Sequence, residues 1–87
     1  MSQHVTVYTQ PGCQPCRATT RWLKKHRVQP TTVDVTQSPA DLEAVKALGY
    51  QESPVVVVSH GPGNDVHWSG YRPDLLAEHI TTERRAA

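Results

Sequence analysis

Apolar and polar residues alternate over Val5-Thr6-Val7-Tyr8 and the pattern stops at Gln10-Pro11-Gly12, so the chain opens with a half-buried β-strand closed by a turn. The period then changes. From Pro15 onward Cys16, Thr20 and Leu23 fall at i, i+4 and i+7 with Trp22 on the flank, while Arg17, Arg21, Lys24 and Lys25 occupy the other side. This spacing predicts an amphipathic helix running to about His26. Pro15 suits its first turn, where a missing N–H costs nothing, and the basic residues at the far end suit the negative pole of the helix dipole.

After the break at Gln29-Pro30, Thr31-Thr32-Val33-Asp34-Val35 alternates again and reads as a second strand, which makes a βαβ unit with parallel strands and a right-handed crossover. Ser38-Pro39-Ala40-Asp41 has the form of a helix start: a hydroxyl N-cap, proline at the first helical position and an acid at the capping-box place. That helix is expected to end at Gly49 and to turn Leu42, Val45 and Leu48 inward. Val55-Val56-Val57-Val58 is β-branched throughout and reads as a strand buried on both faces, the centre of the sheet. His60 to Asp65 is dense in turn residues and leads into Val66-His67-Trp68, which predicts a hairpin with a rather long loop. Ser69 to Arg72 then turns into a third helix opening at Pro73, with Asp74 in its first turn and Leu75, Leu76, His79 and Ile80 as its buried side. The order β-α-β-α-β-β-α describes an α/β fold in which a four-stranded mixed sheet is flanked by three helices. One domain is expected over 1–80, with a frayed tail at 81–87.

A chain of 87 residues has room for a single modest core, and a net charge of +1 gives no reason to expect nucleic-acid binding. Met1 to His4 enters a strand pattern directly, with neither a signal-like leader nor an apolar run of spanning length, so a cytoplasmic protein away from membranes is expected. Thiols are kept reduced there. A lone close pair of cysteines is then catalytic or metal-binding more often than a structural staple.

The two cysteines form Cys13-Gln14-Pro15-Cys16 at the predicted start of the first helix. A cysteine just ahead of a helix gains stabilisation of its thiolate from unpaired N–H groups and the positive end of the dipole. Cys13 has that place, and Cys16 lies one turn further in on the apolar side. The pair suits an ordered exchange in which Cys13 attacks a target disulfide and Cys16 resolves the mixed disulfide. Arg17 either lowers the thiolate pKa further or is a solvated side chain, and the residues favour neither. A zinc site would need a second pair of ligands, and His60 and His67 lie far apart on the expected hairpin. Haem attachment would need histidine where Arg17 stands. No metal is expected.

The element order with such a pair resembles the thioredoxin-like fold. That resemblance implies a cis Pro54 facing the cysteines, with the backbone of Ser53 pairing with a substrate strand. Trp68-Ser69-Gly70-Tyr71-Arg72-Pro73-Asp74 closely resembles the signature of NrdH-type redoxins, and the likeness extends through Val5 to Thr9, Ala47 to Tyr50 and Pro54 to Val57. It implies a dithiol–disulfide oxidoreductase with Cys13 as nucleophile and Cys16 as resolving thiol, and a partner surface formed by Gln14, Pro15, Ser53, Pro54, Trp68, Ser69, Gly70, Tyr71 and Arg72. Arg72 is expected to brace the loop before Pro54, and Trp68 or Tyr71 to offer a broad docking face. The resemblance implies a hydrogen donor to the large subunit of class Ib ribonucleotide reductase, and a monomer without bound cofactor is expected. Its electrons come from NADPH through thioredoxin reductase.

Two features depart from the family pattern. Gln14-Pro15 places proline directly before the second cysteine, as thioredoxins do, which points to a potential nearer the ~−270 mV of thioredoxin than the roughly −200 to −230 mV of glutaredoxins. The His60 to Asp65 loop is a few residues longer than usual and reads as inert surface. The alternatives are a glutathione-dependent glutaredoxin, which would need a glycine-rich groove where Trp68-Ser69-Gly70-Tyr71 stands, and a zinc-binding or redox-sensing module without turnover.

Overall fold

The computed structural model describes residues 3–80, so the expected tail at 81–87 lies outside the described residues. Strand β1 (His4–Thr9) leads into helix α1 (Gln14–Lys25), then strand β2 (Thr31–Asp34), helix α2 (Pro39–Ala47), strand β3 (Val55–Ser59), strand β4 (Asp65–Ser69) and helix α3 (Pro73–His79). The strands lie in the order β2-β1-β3-β4. β1 pairs with β2 in parallel and with β3 antiparallel, and β3 pairs antiparallel with β4. This is the mixed sheet and element order that the hydrophobic pattern predicts.

Alternation along the strands divides the core between two faces. Val5 and Val7 of β1, Val56 and Val58 of β3 and Trp68 of β4 share one face with Leu23 of α1, Leu76 of α3 and Ile80. The other face holds Tyr8, Val55 and Val57 against Leu42 and Val45 of α2, with Val35 and Tyr50. Val55, Val56 and Val58 are fully enclosed, as a central strand with helices on both sides requires.

Three local expectations change. On α1 the buried side is Cys16, Thr19 and Leu23 rather than Cys16, Thr20 and Leu23. At about 100° per residue, positions 16, 19 and 23 span about 60°, as do 16, 20 and 23, so spacing alone does not choose between Thr19 and Thr20. Thr19 is tolerated inside because its hydroxyl donates to the carbonyl of Pro15 at 2.9 Å. The second strand stops at Asp34, and Val35–Gln37 forms a 3-10 turn. Asp34 ends the strand by accepting hydrogen bonds from the N–H and the hydroxyl of Thr36, at 2.9 and 2.6 Å. On α2, Leu48 is 43% exposed instead of inward. The helix has ended at Ala47, and Gly49, at φ +94°, redirects the chain so that Tyr50 covers the core in its place. Ser38 does cap α2, but its hydroxyl donates to Asp41 at 2.6 Å and makes no bond to a backbone N–H.

Leu23→Ala, which empties a fully enclosed position, should cost about 2–5 kcal/mol of unfolding free energy. Leu48→Ala should stay within about 0.5 kcal/mol. Urea denaturation of the two variants checks both; similar losses would contradict the assignment of Leu48 to the surface.

Candidate functional site

β1 ends at Thr9, and Gln10 to Gly12 make the turn that brings Cys13 to the head of α1, with Gly12 at φ +74°, a region open to glycine at little cost. Cys13 is the N-cap of α1 in an extended conformation (φ −96°, ψ 111°). Its Sγ accepts the N–H of Cys16 at 3.1 Å, and its carbonyl accepts the N–H of Arg17 at 3.2 Å. Gln14 and Pro15 fill the exposed first turn between the cysteines. Proline there leaves no donor stranded, so the Cys16 N–H is the one aimed at sulfur.

Cys13 and Cys16 are joined by a disulfide across 5.2 Å between Cα atoms, and neither sulfur is free. Cys13 is 9% exposed and Cys16 3%, so Cys13 is the less buried of the two. That asymmetry suits stepwise exchange, since an incoming sulfur reaches Cys13 first. Among the described residues no group of three histidine, cysteine, aspartate or glutamate side chains is arranged to hold a metal ion.

Strand register brings the remaining expected residues to the same end of the sheet. Tyr8 near the end of β1 pairs with Val55 at the start of β3, and Val55 pairs in turn with Ser69 at the end of β4. The Ser53-Pro54 bond just before β3 is cis, and the Pro54 ring is enclosed. Gly70 donates its N–H to the carbonyl of Pro54 at 2.8 Å and has φ +86°. Ser69 and Gly70 are half-buried, while Tyr71 is 38% exposed and presents an aromatic ring beside this end of the sheet.

Two residues differ from the expected surface. Trp68 is 5% exposed and belongs to the core with Val5, Val7 and Leu76, because its position in β4 opposite Val56 points it under α3 rather than toward a partner. Arg72 does not brace the Ser53-Pro54 loop. It forms a two-pronged pair with Asp74, Nε to Oδ1 at 3.2 Å and Nη2 to Oδ2 at 2.9 Å, the carboxylate just inside α3 being its nearest partner. The hydrogen bond to Arg72 holds the Asp74 carboxyl below its ordinary pKa, and the same bond raises that of the guanidinium. Both are solvent-exposed, so the pair orders this turn more than it stabilises the fold. The Pro54 loop is held instead by the backbone of Gly70, a contact that side-chain chemistry does not announce.

Gln10 is the residue that sequence reasoning passed over. It lines a groove of about 310 Å³ beside Cys13, Cys16, Arg17 and Thr20 and also a smaller one of about 180 Å³ that reaches Ser53 and Tyr50. Its signal was position alone, as the last residue before the Pro11-Gly12 turn.

A family model described as glutaredoxin matches residues 5–61. The glutaredoxin-like protein NrdH of Escherichia coli is 33% identical over 72 residues, covering 83% of each chain. The SPbeta prophage-derived thioredoxin-like protein YosR of Bacillus subtilis is 36% identical over 70 residues, which make up 79% of this chain and 84% of that one. A solved structure of NrdH-redoxin from Escherichia coli, described as a glutaredoxin-like protein with a thioredoxin-like activity profile, matches with a TM-score of 0.76 at 30% identity. The match covers 91% of this chain and 97% of that one.

Replacing Gly70 tests the tie to Pro54. Apart from its chain neighbours nothing lies within 4 Å of a Cβ built on Gly70, so Gly70→Ala meets only its positive φ and should lose about 1–2 kcal/mol in chemical denaturation. Unchanged stability would contradict a left-handed Gly70 in solution.

Proposed function

The chain belongs to the glutaredoxin family, as an NrdH-like thiol–disulfide oxidoreductase with a thioredoxin-like fold, and on that premise we propose that Cys13 and Cys16 reduce protein disulfides by ordered exchange. The Cys13 thiolate attacks one sulfur of the target disulfide, and the other leaves as a thiolate. The mixed disulfide is then attacked by Cys16, which has lost its proton, and the second target thiolate leaves as Cys13–Cys16 forms. Two electrons pass to the target. The observation that carries this reading is the placement of the pair: Cys13 caps α1 and receives the Cys16 N–H, while Cys16 is enclosed behind it.

The target strand adds beside Ser53 and Pro54, with Gln14, Pro15, Ser69, Gly70 and the exposed ring of Tyr71 forming the surrounding contact surface. Arg72 shapes that surface through its pair with Asp74, and Trp68 supports it from below. The physiological target is the large subunit of class Ib ribonucleotide reductase, and thioredoxin reductase re-reduces the pair with NADPH. The thioredoxin-like activity profile named for the Escherichia coli relative supports this electron route over glutathione. Among the described residues no helix is long and apolar enough to cross a membrane, and the proposed setting is the cytoplasm, with the protein working as a monomer in a single domain over 1–80.

A coupled assay separates the electron sources. NADPH consumption during insulin reduction should require thioredoxin reductase and vanish in Cys13→Ser, while Cys16→Ser should accumulate a mixed disulfide visible by mass spectrometry. Turnover only with glutathione and glutathione reductase would overturn the proposed route.

A further inference from the structure

The groove beside the cysteines continues past them. Its lining includes Thr20 and Thr32, and the same two residues line a larger groove of about 610 Å³ that runs on along α1 to Arg27, Gln29 and Pro30. The two stretches form one channel between α1 and β2. β2 is the edge strand of the sheet, unpaired on its outer side among the described residues, and its Thr32 lines both stretches. The wall supplied by α1 and the turn that closes it carries Arg17, Lys24 and Arg27, and no acidic residue lines either stretch.

Charge along the chain is divided in the same sense. Five of the nine lysines and arginines fall between Arg17 and Arg27, whereas all eight acidic residues lie at Asp34 or beyond. None of these five cations makes an ion pair among the described residues. Arg27 also holds a left-handed backbone (φ +62°) at the turn closing α1, fixed by its N–H bond to the carbonyl of Lys24 at 3.1 Å. The twelve residues of α1 span about 18 Å, the length of roughly five extended residues.

We propose that this channel docks an acidic, extended segment of the protein that exchanges electrons with Cys13, lying along α1 on the side of the cysteines away from Pro54. The proposal rests on the exchange reading above and adds where a partner is held. The occupant is acidic because the wall is cationic without countercharge. It is extended because the channel is long and edged by a strand. Arg21 and Lys25 lie on the same helix outside the channel, which provides an internal control of equal charge.

Binding of a cysteine-free fluorescent peptide of about eight residues, rich in aspartate and glutamate, is measured by anisotropy at low salt and mapped by amide chemical shifts, so the result does not depend on redox activity. Expected are shifts at Thr20, Lys24, Arg27 and Thr32, affinity at least tenfold weaker in Lys24→Glu/Arg27→Glu, a smaller loss in Arg21→Glu/Lys25→Glu, and loss of binding near 0.5 M salt. A neutral peptide of the same length should bind at least tenfold more weakly. Equal loss in the two charge-reversed variants would reduce the effect to net charge and overturn the channel, as would equal binding of the neutral peptide or shifts centred elsewhere. Reduction of insulin by the dithiothreitol-reduced protein, run in parallel, tests the exchange reading separately.

Discussion

The unpaired N–H groups at the head of α1 are the constraint on which the site depends. A helix start leaves backbone donors without intrahelical acceptors, and here they meet sulfur. Pro15 removes one donor, and the Cys16 N–H is given to Cys13 Sγ at 3.1 Å. Those donors and the aligned peptide dipoles favour negative charge at Cys13, which is the charge a nucleophilic thiolate carries. Cys16, on the buried side of the same turn, lacks that access. A single helix terminus thereby makes two identical side chains unequal.

The rest of the fold fixes where that terminus sits. Leu23, fully enclosed against β1, β3 and α3, anchors α1 to the sheet, so the helix head cannot shift without opening the core. The Tyr8–Val55–Ser69 register then brings the ends of β1 and β4 and the start of β3 to one edge of the sheet. Gly70 closes that edge by donating to the Pro54 carbonyl. The proposed exchange chemistry and the proposed strand-like capture of a target therefore share one end of the molecule, and the proposed docking channel runs from it along α1.

Elements whose periodicity was unbroken were legible in the sequence: β1, α1, the valine strand and the hairpin follow directly from alternation, and the order of elements from their turns. What was not legible turned on competition among neighbours. Thr19 and Thr20 both donate their hydroxyls to carbonyls of the preceding turn, so neither spacing nor polarity told which of them lies inside, and Val35 leaves β2 because Asp34 caps the following turn. Leu48 obeys the helical spacing of α2 yet lies beyond its last turn. At the site the cysteines were evident from spacing, but a motif cannot say which side of a strand a residue faces. Trp68 points into the core and Tyr71 outward, although both belong to the same signature. Arg72 took the carboxylate two residues on, and the loop was held by the backbone N–H of Gly70, a bond that no side chain announces.

The claim that α1 sets the inequality of the cysteines is tested most directly by titrating thiolate absorbance in the reduced protein with one cysteine left at a time. In Cys16→Ser, the remaining Cys13 should ionise well below the ordinary thiol value of about 8.5, toward the ~7 known for such motifs, while Cys16 in Cys13→Ser should ionise above it. A Cys13 that ionises at or above about 8.5, or two cysteines with the same value, would contradict the account.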